Sequence, residues 1–468
     1  MRPPGHRRAG PAAAGDRQRP GLQLHDRRRP NSVVRSDGGR GSPIRAPAGT
    51  HGDGLPRRRA ERAPDERQRG CHQRDVRRGR AGRRVGGVER HARVRDRHES
   101  HVALHGGSAR GPGHPTVDGL AAPWADVPAA GEAVNDPLRV AVIGAGAIAQ
   151  VAHLPVLRRL TGVEIACICD NDLPKAQALA GRFDVKETYD DIEEVLKYAR
   201  ADAVVICTPN HLHETHVVTA LAAGLHVLCE RPLALSTGGV ESVLRASERY
   251  GKRVLVGMNH RFRPDVQVVR GFLAGGELGS LDMIRGGWYT FQPSRQQLTW
   301  RLRRQEAGGG AFLDLGLPLL DLGLWLAGWP IPKRVSAHLP GRGADGVEDM
   351  GSALVVCENC VSVSVDASWR YLGEGERFWF DVVGKKGAAT IAPLKVFREV
   401  HGTPTDVTPT GASGRETAFT QSYRAEWTYF LAVVKGDVNA PPPKDQLALQ
   451  RVIDAVYRSA DEGRDVIL

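Results

Sequence analysis

Short apolar runs alternate with helical segments from residue 137 onward. This alternation is typical of a parallel, doubly wound sheet whose two faces are covered by helices. The strand-like runs are centred on Val140, Ile165, Val204, Val227 and Val254, with a sixth in the short run 185–189. The helical segments fall at 155–160, 174–181, 192–199, 214–223 and 240–250. The pattern predicts an α/β domain with a six-stranded sheet over residues 137–258.

The pattern changes after Met258, where longer runs of alternating polar and apolar residues begin. These runs occupy residues 281–291, 350–356, 361–369 and 378–384, with few helical segments between them. A period of two is typical of strands in an open, mostly antiparallel sheet. We therefore expect a second, α+β domain over residues 259–468. The 332 residues from 137 onward are enough for two separate cores.

A glycine-rich turn, GAGAIA, follows the first strand and opens the first helix. Gly144 permits a tight turn, Gly146 lets the backbone approach a pyrophosphate, and the small Ala149 lets the helix pack closely on the strand. The helix N-terminus then offers free N–H groups to phosphates. The cofactor-binding residues predicted in this turn are Gly144, Gly146, Ala147, Ile148 and Ala149.

Asp170 follows the second apolar run, 21 positions after Ala149. A carboxylate at that place accepts hydrogen bonds from two ribose hydroxyls and is a poor neighbour for a 2′-phosphate. Strand, turn, helix and acid together predict a dinucleotide site that prefers NAD over NADP. The alternative is an ordinary glycine turn in some other strand–helix unit.

Residues 1–136 differ from the rest of the chain in composition. They contain 28 Arg and 15 acidic residues but no Lys, Phe or Tyr, so their net charge is +13, whereas residues 137–468 carry −1. Such a segment cannot build a core. Three interpretations stay open: a nucleic-acid-binding tail, a solvated disordered extension, and an upstream reading frame translated from a misplaced start. We favour the third, with a true start near Val127 or Val134, and expect no nucleic-acid partner.

Targeting signals are weak in this sequence. Arg7 and Arg8 resemble the twin arginines of an export signal, but no apolar run follows them. The later apolar segment Phe312–Trp329 contains Asp314 and Asp321, which makes it a poor membrane span. We expect a soluble, cytoplasmic protein without a membrane partner.

Seven cysteines in a chain of this length do not form a disulfide framework. Four of them lie at the ends of apolar runs and are expected to be reduced core residues: Cys167, Cys169, Cys207 and Cys229. Cys357 and Cys360 form a CxxC between two strand-like runs. Because no second pair lies nearby, a hairpin turn is a better interpretation than a zinc or redox site, and we expect no metal.

Six markers in the order of the chain resemble the Gfo/Idh/MocA oxidoreductases, the group of glucose-fructose oxidoreductase and inositol dehydrogenase. They are GAGAIA at 144–149, Asp170, TPNHLH at 208–213, ERP at 230–232, NHRF at 259–262 and GGGAFLDLG at 308–316. The resemblance implies a Rossmann domain and a second domain whose sheet often forms an oligomer interface. It also implies a site in the cleft between them and substrates that are mostly sugars, polyols and their derivatives. We therefore expect a homo-oligomer.

The carboxyl ends of the fourth and fifth strands carry further candidate cofactor contacts, since open α/β sheets bind ligands at that edge. Thr208, Pro209 and Asn210 follow the fourth strand and are expected to line the nicotinamide side. Glu230 ends the fifth strand, and the resemblance implies a contact with the cofactor ribose. His213 is a candidate contact, as is His211, although each can equally be a satisfied loop residue.

Two departures from the family pattern fall on residues that move the proton. The family's usual EKP reads Glu230-Arg231-Pro232, and a guanidinium cannot be deprotonated in a protein. The family's His four positions after Asp314 is Pro318. Asp314 therefore remains as the usual proton-handling group. A guanidinium beside it would favour its ionised form, which suits accepting a proton.

The resulting hypothesis assigns catalysis to two residues: Arg231 orients the substrate hydroxyl and contacts the cofactor, and Asp314 accepts the hydroxyl proton. A helix N-cap is the structural alternative for Asp314, while Tyr289 and His260 are alternative acids or bases. The candidate sugar contacts, besides Asp314, are Asn259, Arg261, Trp300 and Arg301, because Arg and Trp suit hydrogen bonding and stacking on a sugar.

The sequence thus predicts an NAD-dependent oxidoreductase that transfers a hydride between nicotinamide and a sugar, polyol or sugar derivative. Two alternatives from other classes stay open. One is a glycoside hydrolase or lyase that uses bound NAD for transient oxidation. The other is a catalytically inactive nucleotide-binding sensor or accessory protein, which the missing Lys and His would allow.

Overall fold

The computed structural model describes residues 136–291, 300–340, 346–410 and 416–468. The predictions for the arginine-rich segment 1–136 lie outside these residues, apart from Asp136. The motifs that predict a dinucleotide site and a catalytic pair all lie within them.

The first sheet has six parallel strands in the order β3-β2-β1-β4-β5-β6. The strands are β1 Leu138–Ile143, β2 Val163–Cys169, β3 Glu187–Tyr189, β4 Ala203–Ile206, β5 His226–Glu230 and β6 Val254–Gly257. The helices between them are α1 Leu154–Leu157, α2 Leu173–Phe183, α3 Ile192–Tyr198, α4 His213–Ala222 and α5 Thr237–Tyr250. The predicted α/β sheet is confirmed, and the short run at 185–189 forms β3.

Polar residues immediately before the helices determine where three of them begin. The side chain of Asp172 accepts a hydrogen bond from the Lys175 N–H at the start of α2. Asp191 caps α3 in the same way, and Ser236 caps α5. These caps satisfy backbone donors that have no partner within the helix, which stabilises each helix start by about 1 kcal/mol.

The second sheet has nine strands in the order β14-β13-β12-β11-β7-β10-β9-β8-β15. The strands are β7 Leu281–Tyr289, β8 Pro332–His338, β9 Met350–Cys357, β10 Ser362–Ser368, β11 Arg377–Gly384, β12 Gly387–Ile391, β13 Lys395–Val400, β14 Thr403–Asp406 and β15 Val466–Ile467. β7 and β10 pair in parallel, and the other neighbours are antiparallel. The prediction of an open, mostly antiparallel sheet is confirmed.

The CxxC segment forms the predicted hairpin. β9 and β10 are antiparallel, and Cys357 is buried at the end of β9. Cys360 lies exposed in the connecting turn with a positive φ of 65°. The sequence pattern therefore reflects a turn, as the strand-like runs on either side indicate.

Helices α6 Pro264–Ala274, α7 Arg304–Ala307 and α8 Leu317–Leu326 belong to the second half of the chain. α8 packs on β7 and β10, and almost all of its residues are buried. By length and composition the stretch Arg304–Leu326 is apolar enough to cross a membrane, but 89% of its apolar window is buried inside the protein. A helix that is apolar all round and buried in this way is typical of a protein core.

Two long helices, α9 Ala418–Lys435 and α10 Asp445–Glu462, were not predicted. α10 packs on β8 and α5. α9 follows β14 of the second sheet in sequence, yet its Tyr423, Trp427 and Phe430 belong to an apolar cluster with residues of β1, β2 and β4. The division of the chain into two domains at residue 258 stays a prediction. Residues of α9, from near the end of the chain, complete the core around the first sheet.

Candidate functional site

The glycine turn after β1 is shaped by close contact with the end of β4. Gly144 has a φ of +98°, and a Cβ atom there would lie 2.7 Å from both C and O of Cys207. Only glycine is compatible with this conformation and this contact. Ala149 is fully buried in the first core, so it contributes close packing to this turn.

The chain leaves the turn in a wide π-helical turn, Ala149–His153, which continues into α1. A second π-helical turn, Phe312–Gly316, precedes α8 and contains Asp314. Such turns occur often at functional sites, because the extra residue in the turn changes the direction in which side chains point. Both turns lie beside the cavities described next.

Two cavities lie along the carboxyl ends of β1 and β4 and share Gly146, Cys207, Thr208 and Trp300. The inner cavity, of about 170 Å³, contains Arg231 and Asp314 among its lining residues. The outer cavity, of about 540 Å³, contains Asp170. Because they share lining residues on both sides of the glycine turn, the two cavities form one elongated site.

Eleven of the predicted site residues line the inner cavity. They are Gly146, Ala147, Ile148, Thr208, Asn210, His213, Glu230, Arg231, Trp300, Arg301 and Asp314. Gly144, Asp170, Pro209 and His211 line the outer cavity. The fold thus brings the predicted cofactor turn, the predicted catalytic pair and two of the predicted sugar contacts into one site.

Asp170 is held beside the glycine turn by a set of hydrogen bonds. Its Oδ2 accepts from the Ala145 N–H at 2.7 Å and from Lys175 Nζ at 2.8 Å. Its Oδ1 accepts from the Asp172 N–H at 3.1 Å. The carboxylate is therefore fixed in position at the wall of the outer cavity.

Arg231 and Asp314 are neighbours, but in a way that differs from the expected pairing of two charged groups. Arg231 Nη1 donates to the main-chain O of Asp314 at 2.9 Å. The Asp314 carboxylate accepts from the indole Nε1 of Trp369 at 3.1 Å through Oδ2. Trp369 is 3% exposed and lines the same cavity. The guanidinium thus orients the backbone of Asp314, and a tryptophan orients its carboxylate.

The glycine-rich loop before Asp314 is anchored by a buried carboxylate. Glu348 Oε1 accepts from the Gly310 N–H at 2.8 Å, the Phe312 N–H at 3.1 Å and the Tyr457 hydroxyl at 2.8 Å. Burial raises the pKa of Glu348 above its ordinary value. Asp314 lies within the π-helical turn and does not cap the helix, so its N-cap interpretation was wrong.

His213 links the loops that follow β4 and β5. Its Nδ1 lies 2.6 Å from the carbonyl O of Pro232, and its Nε2 lies 2.9 Å from the carbonyl O of Thr208. Burial lowers the pKa of His213, although these carbonyl contacts act in the opposite direction. Both ring nitrogens contact the main chain, so the ring holds the two loops in register at the cavity wall.

Three further contacts fix the rim of the two cavities. Thr208 Oγ1 lies 3.1 Å from His216 Nδ1, and burial lowers the pKa of His216 to about 4. Asn210 Nδ2 donates to the carbonyl O of Ala307 at 2.8 Å, which connects α7 to the loop after β4. The guanidinium of Arg301 lies 4.3 Å from the ring centre of Trp300, a cation–π contact at the cavity edge.

The structure places four other candidates away from these two cavities. Asn259 donates to Ser422 within the core, and Arg261 forms ion pairs with Asp321 and Asp445. His260 is buried and stacks on Phe378, and burial holds its pKa well below the ordinary value. Tyr289 packs edge-on against Trp379 on the second sheet. Pro318 is buried near the start of α8.

Sequence reasoning missed four residues around the site: His153, Trp369, Tyr423 and Trp427. Trp369 and Tyr423 line the inner cavity. His153 is fully buried and contacts Glu230, and Trp427 is fully buried against His153. A histidine four positions after Ala149 was a usable signal in the sequence. Nothing in the local sequence of α9 indicates that this helix reaches the cavity. Within the described ranges, no group of three or more His, Cys, Asp or Glu side chains could hold a metal.

The parallel sheet, the glycine turn with its positive φ and the carboxylate beside the adjoining cavities are typical of a dinucleotide-binding Rossmann domain. Residues 138–258 match the family model described as an oxidoreductase family with an NAD-binding Rossmann fold, and residues 266–390 match its C-terminal domain model. The chain belongs to the Gfo/Idh/MocA family and is an NAD-dependent oxidoreductase. The predicted family and cofactor are confirmed.

Similar proteins include the D-glucoside 3-dehydrogenase of Escherichia coli, 27% identical over 360 residues, which cover 71% of this chain and 98% of the relative. The D-apiose dehydrogenase of Paraburkholderia graminis is 27% identical over 70% of this chain and 89% of its own length. Among solved structures, GenD2 from gentamicin A biosynthesis in complex with NAD has a TM-score of 0.64 at 28% identity, with 73% of this chain and 99% of GenD2 covered.

Proposed function

We propose that this chain oxidises a hydroxyl-bearing carbon of a sugar, polyol or sugar derivative. One observation carries the proposal: a single cavity brings Arg231 and Asp314 next to the glycine turn of the NAD site. Trp300, Arg301 and Trp369 border the same cavity and supply the aromatic and guanidinium groups that suit a sugar ring. The relatives named as a glucoside dehydrogenase and an apiose dehydrogenase support this substrate class.

The residues present are compatible with NAD. A Cβ atom at Gly144 would strike the residue after β4, and Gly146 borders both cavities without a side chain, so the backbone would be open to a pyrophosphate there. Asp170 offers its carboxylate to ribose hydroxyls. When bound, NAD supplies a nicotinamide that accepts a hydride.

The chain's own residues then handle the substrate hydroxyl and its proton. Arg231 has donors beyond the one used on the Asp314 carbonyl, because a guanidinium carries five N–H groups, and these can hold the substrate oxygen. Asp314 accepts the hydroxyl proton on its carboxylate, which Trp369 orients. The carbon would become a carbonyl as its hydride passes to the bound nicotinamide, and Asp314 would hold the hydroxyl proton until solvent removes it.

The test incubates the full chain with NAD and a panel of sugars, polyols and glycosides, while nicotinamide absorbance and sugar products are recorded together. NADH formation that depends on one of these substrates supports the proposal. Altered sugar products without NADH would show a glycoside hydrolase or lyase instead. Binding of NAD with neither signal would favour a sensor or accessory protein.

We also propose that the protein acts in the cytoplasm as a homo-oligomer, without nucleic-acid or membrane partners. The resemblance to the family supports assembly through the second sheet. Cell fractionation and the solution mass of the purified full chain test the two statements, and a monomeric mass would overturn the second.

A further inference from the structure

A buried relay of three side chains lies behind the inner cavity. Trp427 Nε1 donates to His153 Nδ1 at 3.0 Å. His153 Nε2 lies 2.9 Å from Glu230 Oε1. An indole N–H can only donate, so His153 Nδ1 has to be the unprotonated nitrogen. The ring is therefore held as the Nε2–H tautomer, and that proton points at the Glu230 carboxylate.

Packing holds the His153 ring in the orientation that makes these two contacts. The ring is fully buried and meets Tyr423 and Trp427 edge-on, with centroid distances of 5.3 Å and 5.8 Å. Tyr423 also places its hydroxyl 3.4 Å from Glu230 Oε1. Two of these side chains come from α9, so the end of the chain determines the surroundings of a residue at the end of β5.

We propose that His153 is a positioning residue: fixed as the Nε2–H tautomer by Trp427, it holds the Glu230 carboxylate ionised and in place at the wall of the NAD site. This inference rests on the proposed function in one respect only: Glu230 matters for turnover if the chain is a dehydrogenase. The relay itself concerns the cofactor side of the cavity, where Glu230 borders Arg231.

His153 is the shorter of two hydrogen-bond contacts to Glu230 Oε1, at 2.9 Å against 3.4 Å for the Tyr423 hydroxyl. Burial acts to raise the pKa of Glu230, but the hydrogen bond from His153 and the nearby Arg231 outweigh it, so the pKa lies below the ordinary value. The other titratable groups that face this carboxylate are His213, Cys207, Cys229, Tyr423 and Glu426.

Tyr423 is a second donor to Glu230, but its hydroxyl lies farther from Oε1, at 3.4 Å, than His153 Nε2 does, at 2.9 Å. Burial and the neighbouring Glu230 raise the pKa of Glu426 well above its ordinary value, which favours the neutral form of Glu426. Burial and Glu230 raise the pKa of Cys207 and of Tyr423 in the same way. Without the donor from His153, the burial of Glu230 would favour its protonated form.

A matched pair of variants separates this role from simple packing. In His153→Gln the amide nitrogen reaches the position of Nε2 and can still donate to Glu230. In His153→Asn the amide nitrogen reaches only the position of Nδ1, so the donor to Glu230 is lost. Trp427→Phe keeps an aromatic ring but removes the donor to Nδ1, so Nδ1 is free to take a proton. Thermal unfolding of each variant shows whether it is folded.

The expected result is a new pH dependence in NAD binding. For His153→Asn the dissociation constant of NAD is expected to increase by about tenfold or more below neutral pH, because a hydrogen bond to a charged group is lost and Glu230 becomes protonated. His153→Gln is expected to restore most of the affinity. Equal behaviour of the two folded variants, or an unchanged pH profile in His153→Asn, would overturn the proposal.

A spectroscopic measurement tests the tautomer without cofactor or substrate. Nitrogen chemical shifts of labelled histidine are expected to show His153 with a protonated Nε2 and an unprotonated Nδ1, and in Trp427→Phe Nδ1 is expected to become protonated as the pH falls. Protonation at Nδ1 in the unmodified chain would refute the relay. Because neither measurement needs turnover, failure of the proposed dehydrogenase activity would leave this result interpretable.

Discussion

Arg231 donates its Nη1–H to the main-chain oxygen of Asp314 at a distance of 2.9 Å. This bond joins the residue after β5 to the π-helical turn before α8, across 83 positions of the chain. The bond gives Arg231 a structural role, because its guanidinium fixes the main chain that carries the Asp314 carboxylate. In the proposed mechanism, proton acceptance by Asp314 and orientation of the substrate oxygen by Arg231 are then separate tasks that mutation can distinguish.

Asp314→Asn is expected to lower kcat for sugar oxidation by about 10²- to 10⁴-fold, because the amide cannot accept the hydroxyl proton. The Asn side chain is isosteric and can still accept from Trp369. NAD affinity is therefore expected to stay unchanged, as measured by titration calorimetry. Unchanged kcat in this variant would remove Asp314 from the mechanism.

Arg231→Lys is expected to keep measurable activity and to gain a pH dependence. A lysine in a part-buried site loses its proton more easily than an arginine, and its neutral amine can act as a second base. The rate of oxidation should therefore rise as pH increases through the pKa of the new amine. Arg231→Met serves as the control, since it removes the charge without adding a base. Identical pH profiles for the Lys and Met variants would contradict this account.

The sequence predicted both sheets and most of the site, because these depend on local patterns and on motifs at strand ends. It did not predict where α9 packs, because Tyr423 and Trp427 join the first core from more than 150 positions beyond β6 in the chain. Arg261 shows the same limit. Its partners Asp321 and Asp445 lie far away in sequence, and their two carboxylates turn a candidate sugar contact into a structural ion pair.

Gly144→Ala is expected to weaken NAD binding and to destabilise the fold by about 1–3 kcal/mol, because its φ of +98° strains any side chain. The added Cβ would also meet Cys207 main-chain atoms at 2.7 Å. Gly181→Ala in α2 is the matched control. A Cβ there meets nothing within 4 Å, and alanine favours a helix, so stability should rise by about 0.5–1 kcal/mol. Thermal unfolding and NAD titration measure both effects.

Asp170→Ser is expected to shift the cofactor preference from NAD toward NADP. The serine removes the negative charge that disfavours a 2′-phosphate and releases Lys175, whose ammonium now lies 2.8 Å from the carboxylate and can then meet the phosphate. The dissociation constant of NAD should rise by about tenfold, since charge-assisted hydrogen bonds to the ribose are lost. Lys175→Met is the control, because it removes the cation but leaves the carboxylate, and it should keep the preference for NAD. If Asp170→Ser binds NADP no better than the unmodified chain does, the carboxylate does not determine the choice of cofactor.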